Sequence, residues 1–250
     1  MKSKLGLTLI GFVFFIIFLI VYLPAKQVIY RVALPNNVAI SDVSGTLWKG
    51  SARRVSVNGL AINNVTWKLS ALPLLWGQAS LTLDAGSQRQ ANDISFSGDV
   101  SISLTQPMTF TSDDFVLYLP TDQVLANVSL PLPVEAGGRF RVTLSELDFE
   151  QTCQVLDGTG EWLNASVQGT QGTIPLGVFS AQLGCDNRAI TVAVAEPNVF
   201  GLNLNARVAS MRDISVEGKF KPDASLPQEV HDAAKFFGQA DSQGYIAFKL

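Results

Sequence analysis

Residues 94–104, which read ISFSGDVSISL, alternate between apolar and small polar side chains. The even positions carry Ile94, Phe96, Val100, Ile102 and Leu104. In an extended strand, successive side chains point to opposite faces, so this period of two predicts a strand with one apolar face and one hydroxyl-rich face. Gly98 interrupts the run, and it predicts a bulge or bend at that point.

The same alternation recurs along most of the chain after residue 40. It is found at residues 115–119, 190–194, 214–216 and 246–250. Asn58-Gly59 predicts a tight hairpin between two apolar stretches, and Asn63-Asn64 predicts a further break before Val65. Prolines at Pro107, Pro120, Pro131 to Pro133 and Pro222 predict breaks between later strands. Consecutive strands are therefore expected to pair antiparallel.

One helix is predicted after the strands begin. It extends from Gln228 to Phe237, between Pro227 and the stop signal Gly238. Val230 and Ala234 lie on its apolar side.

The N-terminal region contains nineteen uncharged, mostly large apolar residues from Leu5 to Leu23, preceded by Lys2 and Lys4. A helix of this length is about 29 Å long, close to the thickness of the hydrocarbon core of a bilayer. We therefore expect an uncleaved anchor, with its N-terminus held in the cytoplasm by the two lysines. The alternative is a cleaved secretory signal, but the run exceeds a signal core of about 7 to 15 residues, and cleavage after Ala25 would require a small residue in place of Leu23.

These patterns predict a mainly β protein with a single N-terminal transmembrane helix and a short C-terminal helix. The expected organisation is a cytoplasmic N-terminus at residues 1–4, a membrane helix at 5–23, a linker at 24–40 and a large β domain at 41–250, which could subdivide near 131–137. The domain is expected to be a mostly antiparallel, curved sheet, sandwich or half-barrel. Alternation does not choose among these forms, although we expect a closed core because a large exposed apolar face is unfavourable in water.

Composition limits the partners and the chemistry. The formal net charge is −3, so the chain lacks the basic surface that a nucleic acid would require. Cys153 and Cys185 lie in the part assigned to an oxidising compartment. We expect a disulfide between them, worth about 3 to 4 kcal/mol in the chain-entropy model; the alternative is a pair of buried free thiols.

No group of residues predicts catalysis or metal binding. His231 is expected to be an exposed residue of the C-terminal helix, and with two cysteines it provides too few ligands for zinc. Glu146, Asp148 and Glu150 alternate with apolar residues, so we interpret them as the solvent face of one strand. We expect no enzyme activity, no cofactor and no metal.

Several segments together resemble the type II secretion system protein N family of bacteria. They are the basic anchor with Pro24-Ala25-Lys26, the stretch GTLWKGSA at residues 45–52, and VTWKL at residues 65–69. Residues 158–162, which read GTGEW, resemble the second glycine-tryptophan element of the family, and residues 226–245 resemble its closing segment.

This resemblance implies a single-pass subunit of the bacterial inner membrane with a periplasmic β domain. Its implied role is accessory and non-catalytic, in the assembly or support of the machinery that exports folded proteins across the outer membrane. The implied partners are other inner-membrane or periplasmic subunits of that machinery. The family is also distantly similar to periplasmic β proteins that handle lipids in apolar grooves, so binding or transfer of a lipid or acyl chain is the alternative.

Seven residues mark the resemblance, and we expect them to be structural. They are Gly45, Leu47, Trp48, Gly50, Trp67, Gly158 and Trp162. If Trp48 and Trp67 are core residues, replacing either with alanine would cost about 3 to 5 kcal/mol.

Overall fold

A computed structural model describes residues 2–31, 34–106, 108–126, 135–210 and 213–249, with the side chains of the first helix described from Ile10 onward. The helices are α1 (Lys2–Val21), α2 (Ala25–Ile29), α3 (Ala71–Leu74), α4 (Thr121–Leu125) and α5 (Gln228–Ala234). The first strands are β1 (Val38–Gly45), β2 (Lys49–Val57), β3 (Leu60–Leu69), β4 (Gln78–Ala85), β5 (Ser95–Ser103) and β6 (Thr109–Pro120). The remaining strands are β7 (Ala136–Glu150), β8 (Cys153–Gly169), β9 (Gly172–Asp186), β10 (Ala189–Val194), β11 (Asn203–Ser210), β12 (Asp213–Phe220) and β13 (Ile246–Lys249).

All thirteen strands form one antiparallel sheet whose order in space is their order in the chain. The predicted mainly β, antiparallel architecture is therefore confirmed. The sheet is open, because β1 and β13 are its two edges and no pairing joins them in the described residues. The expectation of a closed core is wrong: no second sheet in the described part of the chain covers the apolar face.

Glycine and asparagine shape the strands locally. Asn58 and Gly59 both have positive φ, 52° and 84°, and they close the predicted β2–β3 hairpin. Asn64 also has a positive φ, 53°, but it lies inside β3, and the pairing with β2 keeps one register on both sides of it. The predicted break at Asn63-Asn64 is therefore wrong, because asparagine tolerates the left-handed conformation within a continuous strand.

The predicted irregularity at Gly98 is confirmed. The register between β5 and β6 shifts between Ser97 and Asp99. A Cβ atom at Gly98 would lie 2.7 Å from the Cα atom of Phe115, so the bulge admits only glycine without a shift of the backbone.

Two clusters of buried apolar residues lie at separate places along the sheet. Near the N-terminus, Ala25 of α2 packs with Val43 and Ala52, and the half-buried Trp67 covers them. Near the C-terminus, Leu226 and the half-buried Val230 of α5 pack on Leu176 and Phe179 of β9. Each small core therefore lies where a short helix meets the sheet.

The predicted C-terminal helix is confirmed as α5, followed by a 3-10 turn at Lys235–Phe237 and by Gly238. No helix in the described part of the chain, which for side chains begins at Ile10, is long and apolar enough to cross a membrane. Pro107, Pro131 to Pro133 and Leu250 lie outside the described residues, as does most of the 131–137 segment.

The predicted disulfide is confirmed. Cys153 at the start of β8 is bonded to Cys185 near the end of β9, with 5.7 Å between their Cα atoms. The alternative of two free thiols is therefore excluded.

Candidate functional site

The first glycine-tryptophan element is the turn between β1 and β2. Gly45 has a φ of 83°, and a Cβ atom there would lie 2.6 Å from the carbonyl oxygen of Lys49. The backbone N–H of Thr46 donates a hydrogen bond to that same oxygen, 2.9 Å away. The tight turn thus requires a residue without a side chain at position 45.

This turn holds the C-terminal end of α1. The indole Nε1 of Trp48 donates to the carbonyl oxygen of Ile20 at 2.8 Å, and the backbone N–H of Leu47 donates to that of Leu23 at 2.9 Å. Ile20 lies in the last turn of α1, and its carbonyl oxygen also accepts a longer bond, of 3.3 Å, from the N–H of Leu23. The two bonds from the turn thus reach the end of the helix and the residues just after it, where carbonyl groups have few partners within the helix itself. The turn therefore fixes how the N-terminal helix meets the sheet.

A second tryptophan supports the turn from β3. The indole Nε1 of Trp67 donates to the carbonyl oxygen of Leu47 at 3.1 Å. The ring lies directly over Gly50, where a Cβ atom would be 2.3 Å from its Cζ2 atom. Five of the seven family-marking residues thus form one contact group, the anchor clamp, which consists of Gly45, Leu47, Trp48, Gly50 and Trp67.

Gly158 and Trp162 lie elsewhere, in the middle of β8. The indole Nε1 of Trp162 donates to the carbonyl oxygen of Gly137 at 3.0 Å. A Cβ atom at Gly158 would lie 2.7 Å from the carbonyl oxygen of Thr143, so β7 and β8 approach closely there. In this second element, as in the first, a tryptophan donates a hydrogen bond to a neighbouring segment. Unlike the first element, it does not contact α1.

Trp162 also lines an apolar trough on one face of the sheet. Its ring centroid lies 5.7 Å from that of Phe140 and 5.5 Å from that of Phe179, which in turn lies 5.9 Å from that of Phe200. The trough has a volume of about 480 Å³. Other apolar side chains that line it belong to Leu119, Val124, Val142, Ala181, Leu183, Val192, Val194 and Leu202.

Three polar residues, Arg141, Glu161 and Ser180, also border the trough. Arg141 of β7 forms an ion pair with Glu161, its register partner on β8, and this pairing raises the pKa of Arg141. Because neighbours along a strand alternate in direction, the pair points away from Phe140 and Trp162. The side chains that face into the trough therefore offer mainly apolar and aromatic contact.

The side chains considered for catalysis or metal binding are not brought together. His231 lies in α5, where it is half-buried and not exposed as expected. Glu146, Asp148 and Glu150 lie along β7. Within the described residues, no three His, Cys, Asp or Glu side chains are placed to hold a metal ion.

Sequence reasoning missed a polar contact that attaches α5 to the sheet. The Glu229 carboxylate accepts hydrogen bonds from the backbone N–H of Thr170 at 2.9 Å and from its hydroxyl at 2.7 Å. These bonds, the backbone one first, lower the pKa of Glu229. An acidic residue in the first turn of a helix was the only visible signal, because its partner lies 59 residues away in the β8–β9 turn.

Comparisons with known proteins agree with the resemblance in the sequence. The family model described as "Type II secretion system (T2SS), protein N" matches residues 36–249. The type II secretion system protein N of Vibrio cholerae is 27% identical, over 99% of this chain and 98% of its own length. The protein of the same name from Aeromonas hydrophila is 26% identical, over 98% of this chain and 96% of its own length. The protein of that name from Pectobacterium carotovorum is 25% identical, over 91% of this chain and 88% of its own length. No solved structure gives a significant match.

Proposed function

Since the chain belongs to the type II secretion system protein N family, we propose that it is an accessory, non-catalytic subunit of the type II protein secretion machinery. The observation that carries this proposal is the match of the family over residues 36–249, together with relatives that align over nearly their whole length. The subunit would assist the assembly or support of the export of folded proteins from the periplasm across the outer membrane.

The proposal includes a single-pass anchor in the inner membrane at residues 5–23, with residues 1–4 in the cytoplasm. The apolarity of this segment supports the anchor, as does the anchor clamp, which gives the end of α1 a fixed attachment to the sheet. The linker at 24–40 would be short and partly folded, since α2 and the start of β1 lie within it. The β domain at 41–250 would be periplasmic, which suits the Cys153–Cys185 disulfide because that compartment is oxidising.

The partners would be other inner-membrane or periplasmic subunits of the secretion machinery. The open sheet supports contact by strand addition, because β1 and β13 each leave one side without a strand in the described residues. The seven family-marking residues would act structurally, by holding α1 to the sheet and β7 to β8. The alternative of a lipid-handling protein is not favoured, because the relatives are named as secretion proteins.

The experiment that tests this role is deletion of the gene, followed by measurement of an exported enzyme in the medium and of the abundance of neighbouring subunits. We expect reduced secretion or loss of a neighbouring subunit, with recovery when the wild-type gene is restored. Normal secretion together with a changed lipid composition would contradict the proposal.

Crosslinking in intact cells would identify the neighbour. A photoreactive residue at Ser41, which is exposed on the edge strand β1, should crosslink to another secretion subunit. The matched control is Thr82, which is also exposed but lies on β4, inside the sheet. Equal crosslinking at both positions would argue against strand addition at the β1 edge.

A further inference from the structure

The loops near the anchor lie together at one end of the sheet. Consecutive strands are antiparallel, so every second connection lies at the same end. The β1–β2 turn holds the end of α1, and the β3–β4 connection (residues 70–77) and the β5–β6 connection (residues 104–108, without residue 107) therefore lie at that end as well. With strands about 4.8 Å apart, these two connections are about 10 Å and 20 Å from the β1–β2 turn.

Direct hydrogen bonds join these connections into one row. The backbone N–H of Leu69 donates to the carbonyl oxygen of Trp48 at 2.8 Å. The N–H of Leu104 donates to the carbonyl oxygen of Gly77, also at 2.8 Å. The row, here called the clamp-end loops, therefore continues from the end of α1 to the start of the β5–β6 connection.

The clamp-end loops expose large apolar side chains. Their exposed fractions are 70% for Leu72, 77% for Leu75, 74% for Trp76, 61% for Leu104 and 69% for Met108. Such exposure is unfavourable in water, and here it is concentrated on two neighbouring loops. No charged residue occurs in residues 69–83 or 100–112. The β4–β5 connection at the other end of the sheet, by contrast, contains Arg89 and Asp93.

Two lysines flank this apolar surface. Lys49 of β2 and Lys68 of β3 are register partners, and both are exposed just behind the clamp-end loops. Tryptophan is enriched at the membrane–water interface, and a lysine near an anionic surface contributes about 1 kcal/mol of attraction.

We propose that the clamp-end loops insert into the interfacial layer of the bilayer that holds α1, so that the sheet rests on the membrane with Leu72, Leu75, Trp76, Leu104 and Met108 in contact with lipid. This inference rests on the proposed anchor, because the end of α1 supplies the position of the bilayer surface. A protein partner on the same surface is the competing occupant. Lipid is favoured because the surface is continuous with the end of the anchor.

Fluorescence quenching of the full chain in lipid vesicles tests this contact. The chain would be reconstituted into phosphatidylethanolamine and phosphatidylglycerol vesicles with or without lipid brominated near the headgroup end of one acyl chain, at the depth of the interfacial layer. The difference between the wild-type chain and Trp76→Phe isolates the emission of Trp76 from that of the other tryptophans. The matched control is Trp76→Phe/Phe236→Trp, because Phe236 is 80% exposed in the 3-10 turn and lies toward the other end of the sheet.

We expect brominated lipid to cause a loss of Trp76 emission and no loss of emission from a tryptophan at position 236. Equal quenching at both positions, or none at Trp76, would overturn the inference. Protection of Trp76 from aqueous quenchers in native membranes but not in pure lipid vesicles would assign the surface to a protein partner, and would also overturn it.

Alkaline carbonate extraction of the same vesicles tests separately whether α1 is integrated in the bilayer. A chain that resists extraction but shows no quenching of Trp76 disproves the loop contact and leaves the anchor standing. A chain that is extracted, but whose Trp76 is quenched at neutral pH, disproves the anchor and supports the loop contact.

Discussion

At the scale of single residues, three tryptophans donate hydrogen bonds in addition to making apolar contacts. Trp48, Trp67 and Trp162 are each half-buried, and each indole N–H reaches a backbone carbonyl of a neighbouring segment. A half-buried ring loses less apolar contact when it is truncated than a core residue does. The cost of replacing Trp48 or Trp67 with alanine should therefore fall below the 3 to 5 kcal/mol of a core position.

Gly50→Ala should lower the free energy of unfolding by about 1 to 3 kcal/mol, because the new Cβ atom would collide with the ring of Trp67. Urea unfolding of the full chain in detergent would measure this loss of stability. The control is Gly160→Ala, a strand glycine whose Cβ atom would meet ordinary contacts at 3.7 Å. If both variants unfold at the same urea concentration, the packing of Trp67 on Gly50 does not contribute to stability.

Trp48→Phe keeps an aromatic ring but removes the indole donor to Ile20. We expect a loss of about 0.5 to 1.5 kcal/mol, seen as faster amide exchange at the end of α1 and in the β1–β2 turn. Trp76→Phe serves as the control in the same experiment, since Trp76 is 74% exposed and lies outside the anchor clamp. Unchanged exchange in the Trp48 variant would mean that the clamp does not hold the helix.

At the scale of elements, the β8–β9 hairpin is attached at both of its ends. The disulfide joins the start of β8 to the end of β9, and Glu229 of α5 binds the turn between them. This hairpin also carries Trp162 and Phe179 of the apolar trough. The two attachments therefore stabilise the part of the sheet where the trough lies.

Removal of the disulfide in a Cys153→Ser/Cys185→Ser variant should lower the free energy of unfolding by about 3 to 4 kcal/mol, because the bond closes a loop with a sequence separation of 32. Chemical unfolding of the wild-type chain with and without reductant should show the same difference. The variant is the control, since reductant should not change its stability. Equal stability of all four samples would contradict a structural role for the bond.

Glu229 should make stability depend on pH at the acid end. Its pKa is lowered from 4.5 in the folded state, so its contribution is present above about pH 4.5 and is lost as the pH falls through the folded pKa. Thermal melts at a series of pH values should show a smaller acid loss in Glu229→Gln than in the wild-type chain. Asp122→Gln, at an acidic position in the first turn of α4, is a control. An identical dependence of the melting temperature on acid pH in wild type and Glu229→Gln would show that Glu229 does not contribute to it.

Elements were predictable where their signals were local. Asn58-Gly59 fixed one hairpin, Gly98 fixed a bulge, and Pro227 and Gly238 bounded the C-terminal helix. The prediction at Asn64 was wrong because an asparagine in the left-handed conformation can occur either in a turn or within a continuous strand. Only the pairing of β3 with β2 distinguishes the two cases. The anchor clamp and the Glu229–Thr170 contact join residues that are far apart in the chain, so no local pattern could reveal them.

At the scale of the whole molecule, the sheet is long and open, with a short helix packed on it near each end. The alternation that predicts its strands is the same in a sandwich and in a single sheet, so the sequence could not distinguish a closed core from an open apolar face. The structure resolves the choice by leaving many apolar side chains half-exposed along the trough. The family-marking residues gather where the N-terminal helix meets this sheet and at the middle of β8.

Phe179 connects the trough to the small core beneath α5, and it is 7% exposed. Phe179→Ala should cost about 3 to 5 kcal/mol, measurable by urea unfolding. Val178→Ala, at the adjacent residue that is 47% exposed, should cost far less. Similar losses for the two variants would mean that the row of aromatic rings does not hold the sheet.

The simple strand order has a consequence for how the chain folds. Each strand pairs only with the strands just before and just after it in the chain, so the contact order of the domain is low for an all-β protein. A nascent chain could add each strand to its predecessor as it emerges, without waiting for a distant segment. Folding would then proceed vectorially, from the attachment of α1 at the anchor clamp towards β13.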